Sequence, residues 1–574
     1  MPPTAGDAAR NPLSRRQLAV VMTALLLSMS LGALDQTVVA TALPAIVGDL
    51  HGLKYTSWLF TAYILASGIS TPMYGKLADL YGRRKLYLFA LVAFLVGSAL
   101  AGAAQSIFQL IAFRAIQGVG AGGLMVLTLT IIADIVPTRE RGKYMGLYGA
   151  VLGLSSVAGP LIGGYFVDHT TWRWVFYINL PLGLVALVVA GTALKLPARH
   201  RGGRIDYPGF VTLAGALTCL VLATSWGGTK YAWSSTTILG LFAGMAVFIA
   251  AFVVAERYAT DPLIPLRLFT VRTVVFACLA SMLVFTAVNG LATFIPMFLQ
   301  LVTGITATNT GLLTLPLMVG LMFSSVVGGN LITKTERYKW SPMVGAVIGA
   351  LTMFLLSTMN EHTGWWLLAV YVTILGAGLG LMMQPLVIAV QVTVERRDLG
   401  VGTATAAFSQ RIGGSIGLAA LGALFAHQYE HGLAKHLTPA QVAAVPSDGS
   451  VSPTVVDALP AAVRDGLRLA FSDALTDVFF WLTPVMIGVL ILSAFLKNVH
   501  LDQSVPLGEF AHLDLDEDGD DGENGPGSPG DGHPAAPGYP VAPGHPANLG
   551  HPADTAEFPA QPGGMEGGLT QRHL

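Results

Sequence analysis

The chain has 574 residues, of which 53% are hydrophobic and only 11% charged, and its mean hydropathy is +0.62. A soluble globular chain carries about 25% charged residues, so that class is excluded. With a formal net charge of −1 and a pI near 6.9 there is no basic excess for nucleic acid, and no nucleic-acid partner is expected.

In chain order, apolar runs of about 20 residues, long enough to cross a hydrocarbon core roughly 30 Å thick, fall at about 18–46, 55–75, 85–104, 107–133, 143–167 and 174–194. A pair follows at about 208–226 and 236–255, and then a second group at about 272–300, 308–331, 341–359, 365–391, 401–426 and 478–496. The pattern predicts an all-α integral membrane protein with about fourteen transmembrane helices. Two six-helix bundles, residues 18–194 and 272–500, flank a linker, 195–271, that holds two inserted helices. The first run is too long for a cleavable signal peptide and lacks a small-residue cleavage site, so it is expected to remain as the first helix.

Basic residues test the segmentation, because cytoplasmic loops of a membrane protein gather Lys and Arg. Alternate loops hold Arg83, Arg84 and Lys85, then Arg139, Arg141 and Lys143, then Lys334, Arg337 and Lys339, then Arg396 and Arg397, whereas the intervening loops hold few. Both termini, including the short segment 1–17, are therefore expected in the cytoplasm, with the chain multi-pass in the plasma membrane and the lipid bilayer as its surroundings. The polar loop at 427–477 is then external. The tail at 501–574 runs from an acidic stretch, DLDEDGDDGE, into Pro/Gly/His repeats and reads as disordered.

His427 and His431 stand one helical turn apart with His436 beyond, and His533, His545 and His551 are spaced along the tail. No further ligands converge on either set, so no metal site is expected. Cys219 and Cys278 lie in or at the edge of membrane runs and read as packing residues. Neither a nucleotide-phosphate loop nor a nucleophile arrangement is present, which argues against an ATP-driven pump or an enzyme and leaves an ion gradient as the energy source.

Polar residues deep in apolar runs are costly and mark function. Asp35 is the only carboxylate so placed in the first half. At 1.5 Å per residue, Asp35 is about 27 Å along the first helix from its inner end and Arg114 about 31 Å along the fourth, within one turn in depth. One reading makes them a permanent ion pair that fixes the helices. The other makes protonation of Asp35 release Arg114 and bias the equilibrium between inward-open and outward-open states. In the second half Arg411 lies about 15 Å into its helix with no matching carboxylate, and Asn289 is a second deep polar residue. Both are candidate substrate-binding residues, with backbone carbonyls or water as the alternative partners of Arg411. One deep anion against two deep cations suits neutral, zwitterionic or weakly anionic amphiphiles better than dications.

An internal repeat supports two related halves. GKLADLYGRRK from Gly75 returns, degraded, as GNLITKTERYK from Gly329, with Thr333 where the first copy has Asp79. Together with this loop, the strings LDQTVVATALPAI, RAIQGVGAGG, GLSSVAGPLIGG, WRWVFYINLPLG and TGITATNTGLLTLP occur in an order that resembles the fourteen-helix drug:proton antiporter family of the major facilitator superfamily, its multidrug resistance exporter branch. The resemblance spans about residues 15–500.

It implies a proton-coupled exporter of drugs, antibiotics or other small amphiphiles that works by alternating access. Its partners are a small-molecule substrate and protons, the proton gradient supplies the energy, and no cofactor is needed; a monomer is the expected unit. It further implies that Asp35 and Arg114 couple the proton, and that Gly75, Asp79, Gly82 and Arg83 form an inner-loop latch against the start of the thirteenth helix. Gly153, Gly159, Pro160, Gly163 and Gly164 would make a packed, bendable gate between the halves. Trp172 and Trp174 read as interfacial anchors. Two alternatives stay open: a dedicated exporter of one endogenous metabolite or lipid, and a membrane-embedded channel or sensor.

Overall fold

The computed structural model describes residues 14–51, 55–194, 205–228, 230–303, 307–360, 363–442 and 459–497. The acidic and histidine-bearing tail therefore lies outside the described residues, as does most of the N-terminal segment. What is described is almost entirely helical: α1 Arg15–Asp49, α2 Thr56–Tyr81, α3 Arg83–Gly102, α4 Ile107–Ile135, α5 Arg141–His169 and α6 Trp174–Ala193. After these come α7 Tyr207–Trp226 and α8 Thr236–Tyr258, then α9 Arg272–Leu301, α10 Ala307–Thr335, α11 Trp340–Ser357, α12 Trp365–Thr393, α13 Leu399–His436 and α14 Ala461–Ala494.

Twelve spans among the described residues are long and apolar enough to cross a membrane on those grounds alone. The exceptions are α2 and α13, which are 26 and 38 residues long and so have ample length. They carry more polar residues because they meet each other across the middle of the molecule, where side chains face protein rather than lipid. A fourteen-helix membrane protein is compatible with this arrangement.

Local sequence sets the helix ends. Ser14 and Gln17 close a capping box at the start of α1, and Ser106, Asp206 and Ser235 cap α4, α7 and α8 by accepting a backbone N–H of the first turn. Gly82, at φ +88°, turns the chain sharply between α2 and α3, a conformation that costs a β-carbon residue energy.

Packing repeats between the halves. In the first, α2 and α3 pack on α4, α1 packs on α5 and α6, and α3 on α6; in the second, α10 and α11 pack on α12, α9 on α13 and α14, and α11 on α14. The bundles meet through α5 against α10 and α2 against α13, contacts that a two-fold axis would exchange. The inserted pair sits outside this core. Helix α7 lies on both α2 and α13, while α8 packs on α7 and turns an apolar face outward, with Val247 and Val254 exposed. Such a face suits lipid.

Two helix boundaries differ from the sequence expectation. Hydropathy ends the thirteenth helix near 426 and starts the fourteenth at 478, whereas α13 runs on to His436 and α14 begins at Ala461. A hydropathy window registers only the apolar stretch; the helix continues into polar sequence because Glu, Gln, Lys and Ala remain good helix formers there. In the added turns the rings of His427 and His431 meet edge to face with centroids 4.5 Å apart, and Asp473 accepts from Lys435 at 2.7 Å and contacts His436 at 2.9 Å. The expected loop of 427–477 is therefore largely a pair of helix extensions.

Candidate functional site

Asp35 and Arg114 form an ion pair in the interior of the first bundle, both side chains fully buried. Around them four helices supply a hydrogen-bonded cluster. Gln117, one turn after Arg114 on α4, donates to Asp35 Oδ1 at 2.7 Å and accepts from Arg114 at 2.9 Å. Asn179 of α6 donates to Ser98 Oγ of α3 at 2.9 Å and more weakly to Asp35 at 3.4 Å, while Ser98 donates to the Phe176 carbonyl. The Arg114 guanidinium lies over the Tyr63 ring at 4.2 Å. Its Nη2 is buried without a hydrogen-bond partner, so the cation is held on one side and unsatisfied on the other.

Local structure explains how Asn179 reaches this cluster. Helix α6 is interrupted at Ile178, between a short turn at Trp174–Tyr177 and the main helix Asn179–Ala193, which places a buried Asn at a helix start. Ser98, Gln117, Asn179 and Tyr63 were not singled out from sequence. A neutral polar residue in an apolar run has no depth signal as strong as a charge, although Gln117 and Asn179 both lie inside the quoted strings RAIQGVGAGG and WRWVFYINLPLG.

Arg411 projects from α13 across the bundle boundary. It donates to Ser67 Oγ of α2 at 2.7 Å and contacts Met125 Sδ of α4 at 3.3 Å, rather than backbone carbonyls of its own half. Asn289 instead lies within the second bundle, its amide against Gly414 of α13. The two residues are thus not brought to one point by any described contact.

At one end of the molecule α2 locks onto the start of α13. Asp79 accepts the Gly400 and Val401 N–H groups at 3.2 and 3.1 Å, which places a carboxylate on the positive end of a helix. Arg83 donates to Asp79 at 3.3 Å and also pairs with Asp134 of α4, a partner the sequence did not suggest. Gly75 makes the close approach possible, since a β-carbon there would sit 2.8 Å from the Gly400 carbonyl oxygen. The second copy of the repeat makes the matching contact in weaker form: Thr333 Oγ1 accepts the Lys143 N–H at the start of α5 at 3.0 Å, with Arg139 and Glu336 paired beside it. A hydroxyl there replaces a carboxylate.

The helix-5 residues differ from the expected gate between halves. Gly159 and Gly163 pack against Thr37, Val38 and Thr41 of α1 in their own bundle, and Gly164 faces open space. Only Gly153 meets the other half, at Met322. The reason is helical phase: Gly159 and Gly163 share the face turned to α1, and Pro160 stands among them inside an unbroken helix.

Beyond the opposite end of α5, Trp172 is buried and donates to Asp49 at 2.9 Å, Arg173 pairs with the same carboxylate, and Trp174 is half-exposed. Trp172 is therefore a tie between α1 and the α5–α6 turn, not a lipid-facing anchor. Trp172→Phe is expected to cost about 1 kcal/mol and to lower the thermal unfolding midpoint by roughly 1–3 °C, measured on the detergent-solubilised protein.

The polar contacts that cross between bundles include those of Asp79, Lys143, Arg139, Arg411 and the Gln391 amide, which donates to the Leu129 carbonyl at 3.3 Å. All lie at the level of Arg411 or nearer the latch. The Asp79 and Thr333 contacts tie the two bundles together at the latch end.

Two repeat-related bundles meeting along a polar seam, with a charged pair buried in one of them, define a membrane transporter. The sequence pattern of the Major Facilitator Superfamily matches residues 25–418, and the chain belongs to that family. It is 40% identical over 527 residues to an uncharacterised MFS-type transporter of Mycobacterium tuberculosis, a match covering 92% of this chain and 75% of that one. It is 36% identical over 516 residues to the multidrug transporter protein MdtP of Bacillus subtilis, covering 85% and 94%. Among solved structures, the proton:xylose symporter XylE shares the fold with a TM-score of 0.56 at 14% identity, over 85% of this chain and 98% of that one.

Proposed function

We propose that this transporter is a proton-driven exporter of small amphiphilic molecules, drugs or antibiotics among them, that alternates access across the plasma membrane with the latch end and both termini in the cytoplasm. The observation that carries the reading is the Asp35–Arg114 pair, buried away from water yet left with one unsatisfied guanidinium nitrogen. A proton on Asp35 removes the charge that Arg114 faces. The cation must then find other partners, and the buried network around it rearranges.

A physical path leads from that event to the seam. Thr37 and Val38, within one turn of Asp35 on α1, pack against Gly159 and Gly163 of α5, and the far end of α5 meets α10 where Gly142 packs against Gly329. Movement of α1 relative to α4 is thereby transmitted to a cross-bundle contact. Rocking of one bundle against the other converts proton occupancy into a choice of open side. The name of MdtP supports the export of drugs.

The test is a substrate panel on purified protein in proteoliposomes with an imposed pH gradient. Gradient-driven concentration of several unrelated amphiphiles is expected. Movement of one compound only would indicate a dedicated exporter, and equilibration without concentration would refute proton drive.

A further inference from the structure

Arg411 is a cation within the membrane span whose described partners are all neutral. Ser67 Oγ and Met125 Sδ are its hydrogen-bonding contacts, and Tyr63 and Tyr148 lie within electrostatic reach. No carboxylate lies within ion-pair distance of it among the described residues. A partly buried guanidinium held by neutral groups alone within a membrane span is costly, and an anion that reached it would relieve that cost.

Beside it lies a shallow, partly open apolar cleft. Ile64 and Leu65 of α2, Leu217 and Leu220 of α7, and Phe408 and Ile412 of α13 form its walls, with Arg411 at its edge. Each part of the chain contributes: first bundle, inserted pair and second bundle. This gives a role to α7, whose packing on both α2 and α13 has no part in the proton mechanism.

We infer that this cleft binds a single-chain amphiphile with an anionic head, a carboxylate on an alkyl chain, with the head on Arg411 and the chain between α2, α7 and α13. Charge complementarity selects the occupant. A cationic head would meet Arg411 repulsively, and an uncharged one would leave the guanidinium as it stands. Because Arg411 also bridges the bundles through Ser67, the head competes with that bridge, so ligand binding acts on the seam that alternating access must open.

The inference rests on the export reading for its physiological meaning but not for its test. Full-length protein in nanodiscs of zwitterionic lipid, at equal pH throughout, is titrated with a fluorescent fatty acid and with its uncharged methyl ester. The acid is expected to bind at least about tenfold more tightly than the ester. Arg411→Gln is expected to erase that difference, Arg411→Lys to retain much of it, and Leu217→Trp, which fills the cleft without touching the charge, to weaken both probes.

Equal affinity for acid and ester, or a preference that survives Arg411→Gln, overturns the inference even if proton-driven transport is observed. Displacement of the acid by a few per cent of anionic phospholipid in the disc also overturns it, since the occupant is then a bilayer lipid. Retained acid preference in a protein that fails to concentrate any substrate overturns the export reading alone.

Discussion

Replacing Asp35 by Asn is expected to reduce pH-driven substrate accumulation in proteoliposomes by about 100-fold while the protein still inserts into the membrane. The asparagine keeps the shape and one acceptor for Gln117 and Arg114, so the cluster of α1, α3, α4 and α6 retains its packing. What it removes is the ability to gain and lose a proton. Arg114 then faces a permanently neutral partner, and the protonation-dependent bias between states is gone. An unpaired buried cation costs stability under either reading, about 3–5 kcal/mol, but were the pair only a structural tie, the folded protein would keep its pH-driven transport. Transport and thermal unfolding measured on the same preparation separate these outcomes.

A second large effect is expected at the latch. Gly75→Val places branched side-chain atoms against the Gly400 carbonyl and Ala404, contacts that exist only while α2 and α13 are closed on each other. Overpacking of this kind costs about 1–3 kcal/mol, and because it falls on one state it shifts the equilibrium by roughly 5- to 150-fold toward the form open at the latch end. A cysteine introduced at Val401, beside Asp79, is expected to react with a membrane-impermeant thiol reagent much faster in the Gly75→Val background, with Cys219 and Cys278 replaced. Unchanged labelling would show that α2 and α13 do not separate in the working cycle.

The sequence disclosed the frame for a simple physical reason: a membrane span is a length of apolar chain, and length and hydropathy are local properties. Asp35 and Arg114 were legible because charge in an apolar run is rare, and their similar depth follows from a fixed rise per residue. Asp79 was legible through the resemblance of the GKLADLYGRRK loop to the superfamily's inner-loop signature. Ser98, Gln117 and Asn179 were not, because Gln117 and Asn179 meet one carboxylate from two other helices and Ser98 of a third accepts from both, a fact of tertiary packing that no window of sequence contains. The same limit explains Asp134, which reads as one more charge at a helix end until Arg83 is seen to reach it.

Gly159 and Gly163 teach a related point. Small residues announce close packing but do not name the partner, and here the partner is α1 rather than the other bundle. Arg411 was visible as a deep cation, whereas its position across the seam from Ser67 required the fold. Helix ends beyond the membrane, as at His436 and Ala461, escape hydropathy altogether because they are set by helix propensity in water.

The central claim, that proton movement through Asp35 drives export, is tested most directly by proton flux itself. Proteoliposomes carrying the purified protein and a pH-sensitive dye in the lumen are given an outward substrate gradient with no initial pH difference. Wild type is predicted to acidify the lumen, because protons enter as substrate leaves, and Asp35→Asn to show no proton movement. Substrate efflux from the wild type without any pH change, or proton flux that persists in Asp35→Asn, would contradict the account.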